Sequence, residues 1–222
     1  MLTIYGSDLS GPANKVRFVA NYAGIPHEYR RINLREGEQK QEWFLKINPL
    51  GKVPALSDDG FCMFESGAMA KYLCQKADSS LYPKDLKQRA VVEQWNDFVT
   101  LHIGINVAKI TYNRLFAARM NRPVSQESIT DGENFLNQYL PVIEGQLSQH
   151  KYLAGAQITL ADLTLLSALD PCELSGIDLN KYTKITAWRK ELQEQDFYTK
   201  CHKEYGESLK QPASPAGGTA GK

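Results

Sequence analysis

The sequence predicts a two-part molecule, a small α/β layer built on a mixed four-stranded sheet followed by an all-helical bundle. Three observations predict it. Over the first eighty residues, strand and helix signals alternate in the order β-α-β-α-β-β-α, the pattern of a sheet covered by helices. From about Leu86 onward, the apolar residues recur at intervals of three and four, the period of a buried helix face. The chain has 222 residues, 42% of them hydrophobic, enough apolar material for one large core or two modest ones. The expected divisions are an α/β unit over 1–82, a linker over 83–86, a helical unit over 87–210 and a disordered tail over 211–222, where Pro, Gly, Ala and Ser dominate.

Leu2-Thr3-Ile4-Tyr5 is a short β-prone run closed by the turn cluster Gly6-Ser7-Asp8. A helix follows. Ser10 is placed to cap it, Pro12 is tolerated in its first turn, Val16, Val19, Ala20 and Ala23 fall at helical spacing, and Gly24 stops it. His27 to Ile32 reads as a second strand, and Glu42 to Ile47 as a short helix ended before Asn48-Pro49. Val53-Pro54-Ala55-Leu56 and Phe61-Cys62-Met63-Phe64 flank Asp58-Asp59-Gly60, a strong hairpin signal. Ser66 opens another helix, with Met69, Ala70, Tyr72 and Leu73 near its inner face.

In the second part, Val91, Val92, Trp95, Phe98, Val99, His102 and Ile103 form one stripe. Phe135, Tyr139, Val142, Ile143 and Leu147 form another. Leu160 to Leu166 is apolar on most sides and reads as a buried central helix, and Trp188, Leu192 and Phe197 suggest a last one. Ile158-Thr159-Leu160-Ala161-Asp162-Leu163 has the form of a capping box with a hydrophobic staple.

Composition excludes several function classes. Basic and acidic residues balance at 26 to 25, and also regionally, with 10 to 9 over residues 1–83, so no polybasic arm exists to capture nucleic acid or an acidic membrane. No apolar run approaches the roughly 18–20 residues that span a bilayer. The start has no basic region followed by a long apolar one, so no secretory signal is visible. Cys62, Cys74, Cys172 and Cys201 are scattered, as are His27, His102, His150 and His202, which argues against a disulfide framework, a dithiol site or a metal cluster. The expectation is a reduced, cytoplasmic protein without a metal.

Three stretches carry chemistry. Tyr5 to Val16 puts Ser10 at the junction of the first strand and first helix. Asn48 to Leu56 places Pro54 at the start of the hairpin. Phe64-Glu65-Ser66-Gly67 puts an acid and a serine at a helix N-terminus. In this order and spacing they resemble the glutathione-binding half of the cytosolic glutathione transferases, the serine-type classes in particular. The helical second part fits the resemblance too, so it extends over nearly the whole chain. It implies a thioredoxin-like first unit, transferase activity and glutathione as co-substrate.

The physical logic stands beside the family. The glutathione thiolate is the nucleophile. Bringing a thiol from a reference pKa near 8.5 to about 6.5 needs roughly 2.7 kcal/mol in favour of the anion. A hydroxyl hydrogen bond to a charged sulfur contributes about 1.5–3 kcal/mol, and a helix N-terminus about 0.3–1 kcal/mol more. Ser10 is the candidate donor, since Lys15 follows it as a basic residue does in the serine-type pattern; Ser7 on the same loop is its rival, and a plain cap is the bland alternative. No cysteine occupies this loop, against the thiol-transferase classes of the same fold, which form a mixed disulfide.

The resemblance assigns further glutathione contacts. Pro54 is expected to be cis, with the Val53 backbone pairing the cysteinyl backbone as an added strand would. Ser66 and the N–H groups around it suit the γ-glutamyl carboxylate, with Glu65 at the neighbouring amine. Lys52 is expected near the glycine carboxylate, with Gln39 and Lys40, where serine-type members often carry a His-Lys pair. Leu9, His102, Asn106 and Phe116, with Trp95, Phe98 and Tyr112, are the candidates for the wall of an electrophile pocket, although most of those on the helices read first as core, and a lone histidine amid apolar neighbours is more often a satisfied core residue than a base. The reading is conjugation of glutathione to small apolar electrophiles by a homodimer. Its alternatives are a glutathione-dependent peroxidase or isomerase on the same site, and a non-catalytic module that keeps the fold.

Overall fold

The computed structural model of the chain describes residues 1–202 together with 205 and 206; the expected tail at 211–222 lies outside the described residues. Strand β1 (Leu2–Gly6) leads to helix α1 (Gly11–Tyr22), then β2 (Glu28–Arg31), the short α2 (Glu42–Leu45), β3 (Ala55–Asp58), β4 (Phe61–Met63) and α3 (Ser66–Lys76). The sheet order is β2-β1-β3-β4, with β1 parallel to β2 and antiparallel to β3, and β3 antiparallel to β4. The fold class read from the sequence therefore holds, strand count included. Asp59 and Gly60 form the two-residue turn between β3 and β4, both at positive φ (49° and 88°), the backbone that matches strand twist in a tight hairpin.

Alternation along the strands divides the layer's core. Leu2 and Ile4 of β1 and Leu56 of β3 face α1 and α3 in the main cluster. Their neighbours Tyr5 and Ala55 face the other way, into a small cluster with Ile32, Phe44 and Val53 beneath α2.

The second unit contains only helices among the described residues: α4 (Leu86–Phe98), α5 (Ile105–Thr111), α6 (Gln126–Gln149), α7 (Leu160–Leu169), α8 (Pro171–Ser175), α9 (Thr183–Gln193) and α10 (Asp196–His202). Helix α7 is the buried centre, as its all-round apolarity requires, with only Ala168 short of full burial. Its N-terminus is closed by its own sequence. The Asp162 carboxylate accepts from the Thr159 N–H (2.8 Å), the Thr159 hydroxyl (3.0 Å) and the Leu153 N–H (2.9 Å). Burial outweighs these bonds and pushes the Asp162 carboxyl up to about 6.

Helix α1 joins the units, packing on α3 within its own layer and on α7 and α10 of the helical part. A glycine makes the closest approach possible: a Cβ on Gly11 would lie 2.5 Å from the Ser167 carbonyl oxygen of α7. Two elements differ from expectation. The last predicted helix is two, α9 and α10, with Phe197 on the second. The stripe from Val91 to Ile103 is not one α-helix either, because residues Val99–Gly104 widen into a π-helical turn; Val91 is exposed, outside the buried face.

Candidate functional site

A cavity of about 400 Å³ lies where the two units meet. Its floor on the α/β side is Leu9, Ser10, Gly11, Pro12 and Lys15 from the start of α1, with Ser66 from the start of α3. The opposite wall comes from the helical part. Val99, Thr100 and Gly104 of the first π-helical turn contribute, then Ile105 to Thr111 in part, Phe116 of a second π-helical stretch (Tyr112–Phe116), and one face of α7. Both π-helical stretches border the cavity, which fits the tendency of such turns to occur at functional sites. Apart from its two serine-bearing helix ends and Lys15, the lining is mostly aliphatic and small.

Ser10 is the N-cap of α1, in extended backbone (φ −88°, ψ 104°), and its Oγ accepts from the Ala13 N–H at 3.3 Å. That bond uses a lone pair, not the hydroxyl hydrogen, so Ser10 keeps a donor for another group. Cap and donor are compatible roles. Ser7 does not line the cavity; its carbonyl accepts from the Ser10 N–H at 2.9 Å, helping to fix the loop that carries Ser10.

At α3 the helix starts one residue earlier than a serine cap would place it. Glu65 is the N-cap residue and Ser66 the first helical residue, so Ser66 does not cap, and its hydroxyl has no hydrogen bond among the described residues. The first intrahelical bond is Met69 N–H to Glu65 C=O (3.0 Å), which leaves the N–H groups of Ser66, Gly67 and Ala68 unspent at a positive dipole end. Glu65 holds φ 69°, ψ 105°, a positive-φ backbone costly for a residue with a Cβ. Such strain at a helix start is a feature that functional sites retain.

The Val53–Pro54 bond is cis, as expected. Among the described residues the Val53 N–H and C=O have no backbone partner, because the β1–β3 ladder stops at Tyr5 opposite Ala55. Lys52 is exposed; its carbonyl accepts from the Asn48 side chain at 2.6 Å. Lys40 reaches the Leu50 carbonyl (3.2 Å), and Gln39 makes one long bond to Leu34 while its Oε1 is buried and unpartnered. These residues flank one another on the loop between β2 and β3 and lie outside the cavity wall.

Of the expected pocket residues, Leu9 and Phe116 line the cavity. His102 and Asn106 do not. His102 packs with its ring 5.3 Å from Phe98 and 4.7 Å from Tyr139, and the Asn106 amide donates to the His102 carbonyl at 2.8 Å. The π-helical turn turns this face toward α6 instead of toward α1. Trp95, Phe98 and Tyr112 are likewise absent from the wall. In their place stand Thr111, Thr164, Ser167 and Lys15, which the sequence reading did not single out as pocket residues. For Lys15 a signal existed, a cation inside the stretch Ala13 to Ala20 that is otherwise mostly apolar. Among the described residues no group of three His, Cys, Asp or Glu could hold a metal ion, the four cysteines are unpaired, and no helix is long and apolar enough to cross a membrane.

The comparisons agree with this architecture. Residues 4–81 match the family model for the glutathione S-transferase N-terminal domain, and residues 110–196 that for the glutathione S-transferase C-terminal domain. The chain is 27% identical to glutathione transferase F2 from Populus trichocarpa, at a TM-score of 0.85, with 93% of this chain and 100% of that one covered. Human glutathione-S-transferase T1-1 in its apo form is similar at 28% identity and a TM-score of 0.85, over 97% of this chain and 94% of that one. A diazinon-metabolizing glutathione S-transferase of the silkworm Bombyx mori is similar at 26% identity and a TM-score of 0.80, over 94% and 99%.

Proposed function

The chain belongs to the glutathione S-transferase family and is a glutathione transferase, and from that premise we propose that it joins the glutathione thiolate to small apolar electrophiles, with Ser10 as the thiolate donor. The observation that carries the reading is the Ser10 hydroxyl, at the head of α1 and in the wall of a largely apolar cavity, with its hydrogen unspent.

In this mechanism the Ser10 O–H donates to the sulfur while Oγ continues to accept from Ala13, so the cap geometry orients the donor. The α1 N-terminus adds a fixed positive potential at the same place. The Ser66 hydroxyl and the free N–H groups at the head of α3 receive the γ-glutamyl carboxylate, with Glu65 beside its amine. The Val53 backbone, which has no backbone partner among the described residues, pairs the cysteinyl peptide. Lys52, with Gln39 and Lys40, serves the glycine carboxylate. The electrophile sits against Leu9, Phe116 and the aliphatic wall, and the thiolate attacks its carbon as the leaving group departs or the double bond takes up a proton. No covalent enzyme intermediate is needed.

The test is Ser10→Ala with a chlorodinitrobenzene-type substrate. A loss of about 1.5–3 kcal/mol of thiolate stabilisation lowers kcat/KM near neutral pH by roughly 10- to 100-fold. Unchanged turnover would shift the donor role to Ser7. The reading also includes a symmetric dimer, supported by large apolar side chains left exposed in the single chain on both units, Phe61 and Phe64 on one and Val91 and Leu101 on the other. Sedimentation at micromolar concentration checks it; a monomer contradicts it. Four free thiols suit a reducing, cytoplasmic setting.

A further inference from the structure

Gly11, Gly104 and Gly132 each lie where one helix meets another, and packing demands two of the three. A Cβ on Gly11 would stand 2.5 Å from the Ser167 carbonyl oxygen, and one on Gly132 would stand 2.8 Å from Ile110 Cγ1. Side chains do not approach so closely, so these helix contacts require glycine. Gly104 is different. It ends the first π-helical turn in right-handed backbone (φ −60°, ψ −41°), a conformation that any residue adopts. A Cβ there would meet the Val99 carbonyl oxygen at 3.5 Å and the Ala168 Cβ at 3.8 Å, both ordinary contact distances. Glycine inside a helix is less stable than alanine because it gives up more backbone freedom on folding. At Gly104 neither dihedral angle nor crowding accounts for that cost. What the missing side chain leaves is room in the cavity wall, which Gly104 lines together with Ala168 of α7.

The surface beside this gap offers little to a polar ligand. The Thr164 hydroxyl lies 2.8 Å from the Asn96 side-chain oxygen and 2.9 Å from the Leu160 carbonyl, and the Ser167 hydroxyl donates to the Thr164 carbonyl at 2.9 Å. The hydroxyl hydrogens that α7 brings to the wall are therefore spent inside the protein. Val99, Ile105 and Ala108 add aliphatic surface. Among the described residues that line the cavity, Phe116 is the only aromatic ring, so a flat aryl group finds little to stack on. Such a wall favours chain length.

We infer that Gly104, with Ala168, sets the depth of the electrophile pocket, and that the pocket selects electrophiles carrying an unbranched aliphatic chain whose tail lies against these two residues. The inference rests on the conjugation reading above and narrows its second substrate. Each methylene drawn out of water strengthens binding by up to about fourfold, as long as the cavity has room for it. A side chain at Gly104 takes that room away.

The experiment uses 2-alkenals of increasing chain length as probes, with the unaltered protein, Gly104→Ala, Gly104→Leu and Ala168→Val. In each reaction the glutathione sulfur bonds to the β-carbon, the C=C electron pair shifts into the enolate, and a proton from water completes the α-carbon. The readouts are kcat/KM at each length, the melting temperature, and glutathione binding by calorimetry. In the unaltered enzyme kcat/KM rises about two- to fourfold per methylene until the chain fills the cavity. The ratio of kcat/KM for the longest alkenal to that for the shortest falls roughly 10- to 100-fold in Gly104→Leu, and about two- to fourfold in Gly104→Ala and Ala168→Val. The melting temperature of Gly104→Ala rises by about 1–4 °C, because the helix gains a better former at no steric cost. An unchanged ratio in Gly104→Ala and Gly104→Leu overturns the inference, as does a melting temperature lowered by Gly104→Ala, which would make the glycine a packing residue. A flat chain-length profile in an unaltered enzyme that binds glutathione and turns over the alkenals overturns it too, and leaves the proposed function standing. No glutathione binding by the unaltered protein overturns both.

Discussion

Helix α7 and helices α1 and α3 all begin with a hydroxyl residue or an acid at the first turn, yet their N-termini do opposite things. At α7 the polar groups are satisfied within the protein: the Leu160 N–H donates to the Leu81 carbonyl (2.8 Å), and the Asp162 carboxylate takes the Thr159 N–H, the Thr159 hydroxyl and the Leu153 N–H, all inside the core. At α1 and α3 the ends face a cavity, with the Ser10 hydrogen, the Ser66 hydroxyl and the first N–H groups of α3 unspent. The same local chemistry gives structure where the chain supplies the acceptor, and a binding site where it leaves the acceptor to a ligand. What decides is the direction in which tertiary packing points the helix end, and α1 is aimed by Gly11 against the Ser167 carbonyl.

Breaking the closed end has the largest expected effect. Asp162→Ala leaves several buried donors without an acceptor at the centre of the bundle, and we expect a loss of about 3–5 kcal/mol in chemical denaturation, with activity per folded molecule little changed. The same carboxyl sets a sign. Its pKa is raised by burial, from 3.8 when unfolded to about 6 when folded, so the folded state binds more protons between those values. Stability contributed by this group is therefore present below about pH 4 and lost as pH rises through about 6; Asp162→Asn, which cannot titrate, removes that slope from a stability–pH curve. A slope of the opposite sign, surviving in the variant, would assign it elsewhere.

Altering the open ends moves function more than stability. Ser10→Ala removes the donor, with the 10- to 100-fold fall in kcat/KM given above, and also a cap contribution of about 1 kcal/mol to stability. The smallest effect is expected at α3. Ser66→Ala deletes one hydrogen bond to a carboxylate but no cap, so the KM for glutathione rises about five- to tenfold while the melting temperature is unmoved. A fall in melting temperature without a KM change would mean that α3 resembles α7 after all.

The fold was legible where local signals agree with packing. The Asp59-Gly60 turn, the all-apolar α7 and the alternation of Ile4 with Tyr5 each state their own environment. The serines at the heads of α1 and α3 were legible through spacing, because a helix start is a local event. The opposite wall was not. His102 and Asn106 sit at the right intervals for one α-helical face, but the π-helical turn at Val99–Gly104 changes the angle per residue, and no hydrophobic spacing reports that. The burial of Lys15 was only half legible: it stands in a mostly apolar stretch, but its burial depends on α3 and the helical unit closing over α1, which no local signal reports. The break between α9 and α10 followed the same rule: Trp188, Leu192 and Phe197 lie near one face, and apolar periodicity does not register a loop at Glu194 and Gln195.

The central claim is that Ser10, at an open helix end, makes the glutathione thiolate. The most direct measurement is the pKa of the thiol of bound glutathione, followed by thiolate absorbance, in the unaltered protein and in Ser10→Ala. The account predicts a bound thiol roughly 2 units below the free reference near 8.5, and a rise of about 1–2 units in the variant. The same bound pKa in both proteins would contradict it.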